Sequence, residues 1–233
     1  MMEDKLAVDW NAVQESLNEK GYALLKNILT PIDCAALVAD YDKKEGYRSI
    51  ISMERYRFGK GEYKYFSYPL PPIVHHLREQ FYTPLAHVAN DWMQKLSIDT
   101  TYPLAHHELI EKCKAQNQHR PTPLILRYER GGFNTLHQDL YGEVYFPFQI
   151  VFALTQVGED HAGGEFVLVQ QIPRAQSKAE VVSLDKGDAL IFTTNFRPVK
   201  GTKGYYRSTM KHGISEVKSG KRYSLGIIFH DAT

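Results

Sequence analysis

Several features that would place a protein in a specialised class are scarce in this sequence of 233 residues. Its two cysteines, Cys34 and Cys113, lie far apart, so neither a disulfide scaffold nor a thiolate metal site is indicated. No run of about 18 apolar residues occurs, and the segment Met1–Lys5 starts acidic without the apolar core of a signal peptide. We therefore expect no membrane contact and, by default, a cytoplasmic location.

Excess charge of one sign is also lacking. The 28 basic residues are balanced by 27 acidic ones, which leaves a net charge of +1. Any preference for a polyanion must therefore be local. Internal repeats and low-complexity linkers are absent as well, and the length suits one domain with a substantial core. The sequence predicts a single domain over residues 1–233 and gives no indication of an oligomeric state.

Helices dominate the first 122 residues. Apolar spacing predicts helices over 9–20, from Thr30 to about Tyr41 and from Pro71 to about Leu96, where Pro84 marks the point at which a break would fall. A short strand is expected over 22–29. Residues 105–119 contain three histidines, but adjacent histidines on a helix point about 100° apart. A solvated polar helix is therefore favoured there over a metal site.

Residues 43–66 mix basic and aromatic side chains. Seven cations alternate with six rings against three glutamates. Single-stranded nucleic acid is bound by such a mixture, because cations meet phosphates and rings stack on bases. The alternative is a pair of strands with a solvated basic face and a buried aromatic face.

From residue 123 onward, the chain is predicted to form short strands separated by glycine-containing turns. The predicted strands cover 124–129, 146–156, 165–170, 181–184, 189–193, 206–211 and 222–230. Seven or eight such strands indicate a double-stranded β-helix, or jelly roll. The predicted fold class is thus mainly β with flanking helices: an N-terminal helical or lid part over 1–122 supports a jelly-roll core over 123–233.

A candidate metal site lies in this core. His137 and Asp139 are two residues apart, so on an extended strand both side chains point to one face while Gln138 points away. If His212 joins them from a strand on the facing sheet, two imidazoles and one carboxylate form the facial triad typical of non-haem Fe(II) oxygenases. His161 and His230 are poorer candidates.

The same residues resemble a known family. Leu136-His137-Gln138-Asp139, His212-Gly213-Ile214 and Arg222-Tyr223-Ser224-Leu225 are similar to motifs of the Fe(II)/2-oxoglutarate dioxygenases, and within them of the AlkB-type nucleic-acid oxygenases. The closing residues 226–232 resemble a bacterial branch described as acting on damaged nucleic acid. AlkB-type repair enzymes carry a second arginine where this chain has Ile228, and an asparagine where it has Ser224. Arg-x-Ser is the pattern of the wider superfamily.

This resemblance implies the cofactors and their ligands. It implies Fe(II) held by His137, Asp139 and His212, with 2-oxoglutarate and O2 as co-substrates. Arg222 is implied to bind the far carboxylate of 2-oxoglutarate, and Ser224 can donate a hydroxyl to it. Tyr128 is similar to a tyrosine that many members use for the same purpose, although core packing is an equal alternative. The implied reaction hydroxylates a C–H bond with release of succinate and CO2.

Charge near the second histidine suggests a polyanionic substrate. Between residues 195 and 222 lie eight cations and one acidic residue, Glu216. The candidate partner is alkylated single-stranded DNA or RNA, with Tyr141 able to stack on a flipped base and Arg197 and Arg207 able to meet phosphates. The alternative for both arginines is a structural role, in which they hold a long loop by bonding its carbonyls.

Three functional hypotheses follow. The first is oxidative dealkylation of damaged DNA or RNA bases. The second is hydroxylation of a protein side chain or a small metabolite, which Ser224 and Ile228 favour. The third is a non-enzymatic jelly-roll binding protein, which the complete set of motif residues disfavours.

Overall fold

The computed structural model describes residues 8–172 and 174–233. The helices, numbered in chain order, are α1 Trp10–Lys20, α2 Pro31–Asp40, α3 Met53–Tyr56, α4 Pro72–Lys95 and α5 His106–Ala115. The strands are β1 Tyr22–Leu25, β2 Tyr47–Ser52, β3 Gly59–Lys60, β4 Glu62–Phe66, β5 Leu124–Glu129, β6 Phe133–His137, β7 Phe148–Ala153, β8 His161–Gly163, β9 Phe166–Gln171, β10 Lys178–Val182, β11 Ala189–Thr193, β12 Phe196–Gly201, β13 Gly204–Ile214 and β14 Val217–Ile228.

Local signals set the first two helices. The Asp9 side chain accepts hydrogen bonds from the backbone of Asn11 and Ala12 at the start of α1, and Gly21 ends it with φ 81°. At α2, Thr30 and Asp33 form a reciprocal capping box ahead of Pro31. Both helices were predicted at these positions.

Two antiparallel sheets face each other. The larger has the order β1-β11-β7-β14-β5-β4-β2, with β8 also paired to β14. The smaller has the order β10-β9-β13-β6-β3, with β12 also paired to β13. The predicted jelly roll is confirmed. The first 122 residues contribute more to it than predicted, because β1, β2 and β4 join the larger sheet and β3 joins the smaller one.

Side chains along β14 point alternately to the apolar core on one face of the strand and to the cavity between the sheets on the other. Leu225 and Ile227 point toward the helices and belong to the main apolar cluster. Ser224, Gly226 and Ile228 point the other way and line the cavity. The strand that carries the predicted anion-binding residues is therefore fixed by apolar packing on its opposite face.

Helix α4 supports the larger sheet without a break. It runs through Pro84 and packs Phe81 against Phe152 and Trp92 against Phe148. Its buried Arg78 bonds the carbonyls of Ile228 and Phe229 and pairs with Asp231 at 2.8 Å. These contacts hold the end of β14 in place, because a buried guanidinium needs several acceptors.

Helix α5 is less solvated than predicted. His106 is buried, and its Nε2 lies 2.8 Å from the Phe229 carbonyl oxygen, whereas His107 is exposed. Leu109 and Cys113 are buried on the same side. The 100° between adjacent helical positions, which argued against a shared metal, also places one histidine inside the fold and the next one outside.

Because two histidines are buried, we expect the protein to lose stability in mild acid. Burial, together with the charge of Arg78, lowers the pKa of His106 and of His230 to about 3. Both are neutral in the fold, whereas in the unfolded chain they take up protons below about pH 6.5. Their contribution to stability is thus complete above about pH 6.5 and is lost as the pH falls toward 3, at about 1.4 kcal/mol per pH unit for each histidine.

Replacing His106 with glutamine, which can still donate to the Phe229 carbonyl, is expected to remove one of these two contributions. The slope of unfolding free energy between about pH 6 and pH 4 should fall by about 1.4 kcal/mol per pH unit. Urea unfolding across this range measures the slope. The matched variant His107→Gln should keep the parent slope, and an equal slope in all three proteins would contradict the assignment.

None of the helices in the described part of the chain is long and apolar enough to cross a membrane. The segment Met1–Lys5, on which the expectation of no signal peptide was based, lies outside the described residues.

Candidate functional site

The three candidate metal ligands converge inside the jelly roll. His137 ends β6, Asp139 follows just beyond the strand, and His212 lies on β13 directly opposite His137. Cross-strand neighbours share one face of a sheet, and the two imidazole centroids are 4.2 Å apart. The expectation that His212 comes from the facing sheet was wrong, because β6 and β13 are neighbours in the smaller sheet. The facing sheet carries Arg222 instead.

The distances fit a single ion. One ligand atom from each of the three residues lies within 4.8 Å of the others. Asp139 Oδ1 is 3.6 Å from His137 Nε2, and its Oδ2 is 3.4 Å from His212 Nε2. Ligands at right angles on bonds of about 2.0–2.2 Å would be roughly 3 Å apart, so small shifts would close the site around a metal. Nitrogen and oxygen donors without thiolate suit Fe(II).

Neighbouring groups orient these ligands. His137 Nδ1 lies 2.7 Å from the Thr135 carbonyl, so it donates there and leaves Nε2 free for a metal. Gln138 donates its amide to the carbonyls of Asn195 and Met210. The residue between the two ligands therefore joins the end of β6 to the base of the β12–β13 hairpin.

Electrostatics favour the metal-binding form of Asp139 and of His212. Burial alone would raise the pKa of the Asp139 carboxyl, but its hydrogen bonds with His212 and Tyr141 and the nearby His137 hold it well below its usual range. Burial lowers the pKa of His212 against the opposing effect of Asp139. An anionic carboxylate beside a neutral imidazole is the state that binds a metal ion.

Tyr141 supports the carboxylate. Its hydroxyl donates to Asp139 Oδ1 at 2.8 Å, and burial followed by the charge of Asp139 raises the Tyr141 pKa, which keeps the proton on the phenol. The ring also lines the cavity. The sequence suggested Tyr141 as a stacking residue, and the structure adds a hydrogen bond to a candidate metal ligand.

We expect Tyr141→Phe to weaken metal binding by about 10-fold or more, because partners behind a ligand typically contribute 10–100-fold. Titration with Mn²⁺, followed by the change in melting temperature or by calorimetry, measures the affinity. Tyr145→Phe is the matched control in the same loop, since its hydroxyl has no hydrogen bond to a described residue. Equal affinity in both variants would show that the Tyr141 hydroxyl contributes nothing.

Arg222 is a buried cation that forms no ion pair with any carboxylate among the described residues. It is 4% exposed, and its one side-chain hydrogen bond to a described residue joins Nη1 to Ser224 Oγ at 3.1 Å. None of the ion pairs formed between described residues includes it. A guanidinium stays charged even where burial lowers its pKa. An unpaired buried charge is costly, so the site is suited to an anionic ligand.

Arg222 lies beside the other two residues that were predicted to bind the co-substrate. Tyr128 lies opposite it on β5, with the guanidinium carbon 5.7 Å from the ring centroid. Burial raises the pKa of Tyr128 to about 12, and its hydroxyl has no hydrogen-bond partner among the described residues. Gly164 makes room, because a Cβ at this position would lie 2.7 Å from Arg222 Cδ. Arg222, Ser224 and Tyr128 thus form one cluster.

A cavity of about 280 Å³ connects the candidate metal ligands with Ser224 and Tyr128. Ligand pockets are typically roughly 300–1,000 Å³. Ring side chains dominate one wall, including Phe58, Tyr63 and Tyr65. The volume lies near the lower end of this range and suits a small co-substrate, and the aromatic wall borders the same space.

Segment 43–66 shows features of both predictions made for it. It forms the antiparallel pair β2 and β4, and its rings reach the cavity. Its cations are not all solvated: Lys64 is buried, with Nζ 2.7 Å from the Tyr41 carbonyl, and Arg48 bonds the Pro121 carbonyl and lies over the Tyr65 ring. Part of the basic character therefore stabilises the sheet.

The arginines suggested for substrate contact do not line the cavity. Arg197 is half-buried and donates to the Asn18 carbonyl and the Gln170 side chain, which is the structural alternative. Arg207 is exposed on the β12–β13 hairpin, over the Phe196 ring. Both point elsewhere because residues 197 and 207 belong to a hairpin that extends away from His212.

Sequence patterns missed Gln149, one of the polar residues that line the cavity. Gln149 is 5% exposed, and its amide nitrogen has no hydrogen-bond partner among the described residues. It lies opposite Ile228 on β14 and opposite Phe192 on β11. A single glutamine in an apolar strand was the only signal, and its importance depends on strand pairing that sequence spacing does not give.

A candidate facial triad inside a jelly roll, with a buried arginine on the facing sheet, indicates the class of non-haem iron oxygenases. Residues 61–232 match the family Oxygenase-NA, described as "Oxygenase, catalysing oxidative methylation of damaged DNA". An uncharacterised Mycobacterium tuberculosis protein, Rv2227 of strain H37Rv, is 41% identical over 167 residues, 72% of each chain. The chain belongs to the Oxygenase-NA family, which confirms the resemblance and makes it an enzyme rather than a binding module.

Two solved structures share the fold. A prolyl-4-hydroxylase from Pseudomonas putida is 13% identical with a TM-score of 0.55, covering 96% of this chain and 99% of that one. An oxidoreductase of the 2OG-Fe(II) oxygenase family from Burkholderia pseudomallei is 14% identical with a TM-score of 0.55, covering 98% and 94%. At such identities the likeness shows the fold alone.

Proposed function

We propose that the protein is an Fe(II)- and 2-oxoglutarate-dependent dioxygenase that oxidatively removes alkyl groups from damaged DNA or RNA bases. The observation that carries the dioxygenase part is the buried Arg222, which has no ion-pair partner among the described residues and lies on the sheet facing His137, Asp139 and His212. The nucleic-acid part is supported by the family match over residues 61–232.

In this proposal, His137, Asp139 and His212 hold Fe(II) through two imidazole nitrogens and a carboxylate oxygen. Arg222 binds the far carboxylate of 2-oxoglutarate with its paired N–H donors, and the hydroxyls of Ser224 and Tyr128 complete that site. When bound, iron and 2-oxoglutarate supply the oxidising chemistry, in which one oxygen atom enters a substrate C–H bond and the other enters succinate as CO2 leaves.

The remaining steps belong to this chain's residues. Tyr141 keeps its proton and orients the Asp139 carboxylate. The Phe58, Tyr63 and Tyr65 rings exclude water and stack on a planar base. Gln149 offers the substrate a buried amide donor. An oxidised N-methyl group becomes a hemiaminal, which separates into formaldehyde and the free amine.

The deciding experiment measures succinate released by the Fe(II)-loaded protein, with methylated or unmethylated single-stranded DNA, and with Asp139→Ala as the blank. Stimulation by the methylated strand alone, with formaldehyde in equal amount, is the expected result. Turnover that is lost in the Asp139 variant but indifferent to DNA would reject nucleic-acid dealkylation and keep the dioxygenase.

A second candidate is hydroxylation of a protein side chain or a small metabolite. It is favoured by Ile228, which lines the cavity where AlkB-type enzymes carry a second arginine, and by Ser224 in the Arg-x-Ser pattern. The solved structure from Pseudomonas putida is described as a prolyl-4-hydroxylase. Proline-containing peptides, added to the same succinate assay, distinguish this candidate from the first.

A further inference from the structure

The hairpin formed by β12 and the first part of β13, residues 196–211, carries strong local charge. It contains five cations and no carboxylate, and we name it the basic hairpin. Arg197 is bonded within the fold. Lys200, Lys203 and Arg207 are exposed, and no ion pair joins any of them to a described carboxylate. No ion pair of the described fold therefore depends on their charges.

Strand pairing places these cations around an aromatic ring. Lys200 pairs with Tyr205 and Pro198 pairs with Arg207, and paired residues share a face of the hairpin. Tyr205 and Arg207 are two positions apart on β13, so they share that face as well. Tyr205 is 41% exposed. Lys200, Tyr205 and Arg207 thus lie together on one face, where Arg207 also contacts the Phe196 ring and Lys95 lies 5.7 Å from the centroid of the Tyr205 ring.

The basic hairpin starts beside the candidate metal site. Its base is joined to Gln138, whose amide donates to the Asn195 and Met210 carbonyls. His212, opposite His137, follows one residue after the hairpin. Strands β13 and β6 are antiparallel. The hairpin therefore extends from His212 in the same direction as the chain runs from His137 to Asp139. A polymer with one unit in the cavity would meet the hairpin where it emerges at this end.

We infer that the basic hairpin binds the sugar-phosphate backbone of single-stranded nucleic acid beside the nucleotide that enters the cavity. Lys200 and Arg207 pair with phosphates, and Tyr205 stacks on a neighbouring base. Exposed cations alone would fit any polyanion, but a ring beside them is what an unpaired nucleic-acid strand requires. This inference deepens the proposed function and rests on it, since it assigns a surface outside the cavity to the same substrate.

The double variant Lys200→Glu/Arg207→Glu tests this surface. Fluorescence anisotropy with labelled unmethylated oligothymidylate of about 12 nucleotides measures affinity and its salt dependence. Two lost phosphate contacts should reduce the slope of log affinity against log salt by about 1.4, and weaken binding about 10–30-fold near 0.1 M salt. The matched control is Lys112→Glu/Arg130→Glu, which changes the same charges at exposed positions outside the hairpin.

Parent-like binding by the hairpin variant, or equal weakening by the control, would overturn the inference. Tyr205→Leu should weaken binding without changing the salt slope, and an unchanged affinity would reject the stacking contact. Competition by polyglutamate as strong as by oligothymidylate would reassign the surface to acidic proteins. Circular dichroism and the melting temperature confirm that each variant is folded.

Failure of this inference can be told apart from failure of the proposed function. If a methylated nucleotide too short to reach the hairpin stimulates succinate release while the hairpin variant binds oligothymidylate like the parent, only the inference is wrong. If no methylated strand stimulates turnover but the hairpin variant loses binding, the surface stands and dealkylation is rejected.

Discussion

Asp139→Ala is expected to reduce succinate formation to background and to abolish tight metal binding. Asp139 is the one carboxylate among the three candidate ligands, and it lies within 3.6 Å of both imidazoles. Without it, two neutral nitrogens remain and no charge opposes the cation. The loss should exceed the roughly 10–100-fold caused by changes behind a ligand. Mn²⁺ titration and the succinate assay measure both effects.

Glu143→Ala provides the control for this prediction. Glu143 is an exposed carboxylate in the same loop, so its removal changes the local charge equally but leaves the cluster intact. It should keep parent metal affinity and turnover. If Asp139→Ala kept a metal affinity within about 10-fold of the parent, less than a typical outer-shell effect, the assignment of Asp139 as a ligand would be wrong.

Short-range sequence patterns predicted the parts of the site that lie close together in the chain. His137 and Asp139 share a site because they are two residues apart, and Arg222 contacts Ser224 for the same reason. Strands β5 and β11 begin and end at the predicted residues. In each case alternation of side chains over a few residues is enough to fix which groups meet.

Pairing between distant strands could not be predicted in the same way. His212 was expected on the facing sheet, but β13 pairs with β6, and β12 was not predicted at all. Which strands become neighbours depends on the whole fold, because several pairings bury similar apolar faces. The position of Gln149 opposite Ile228 follows from such a pairing.

Composition also could not predict which basic residues are buried and which are exposed. Lys64 and Arg197 bond carbonyls inside the fold, whereas Lys200 and Arg207 remain exposed. All four belong to segments with similar mixtures of cations and rings. Carbonyls left unpaired where elements meet decide which cations turn inward, since a buried polar group needs a partner. The local charge of the sequence therefore indicated a basic surface, but it did not show which residues form that surface.

Arg222 combines a functional advantage with a structural cost. Its guanidinium is buried and bonds Ser224, and no described carboxylate balances its charge. Replacement of buried charges by apolar side chains of similar volume is often neutral or stabilising. An arginine kept under these conditions should matter for binding an anion more than for folding.

Arg222→Met is therefore expected to retain or raise the melting temperature of the protein without 2-oxoglutarate and to lose most affinity for that co-substrate. Removing one member of a buried, hydrogen-bonded charge pair costs about 2–5 kcal/mol, which corresponds to about 30-fold to several-thousand-fold in Kd. Calorimetric titration of the Mn²⁺-loaded protein with 2-oxoglutarate measures the Kd. The 2-oxoglutarate affinity of Arg222→Lys should lie between that of the parent and that of Arg222→Met, because lysine keeps the charge but not the paired donors.

Arg127→Met is the matched control on the neighbouring strand β5. Arg127 is half-buried and already pairs with Glu62 at 3.4 Å, so its loss should lower stability and leave the 2-oxoglutarate Kd unchanged. We therefore expect opposite results from the two variants. Arg222→Met should lose 2-oxoglutarate binding and keep its stability, whereas Arg127→Met should lose stability and keep 2-oxoglutarate binding. Unchanged 2-oxoglutarate binding in Arg222→Met would remove the main support for this cation as the co-substrate site.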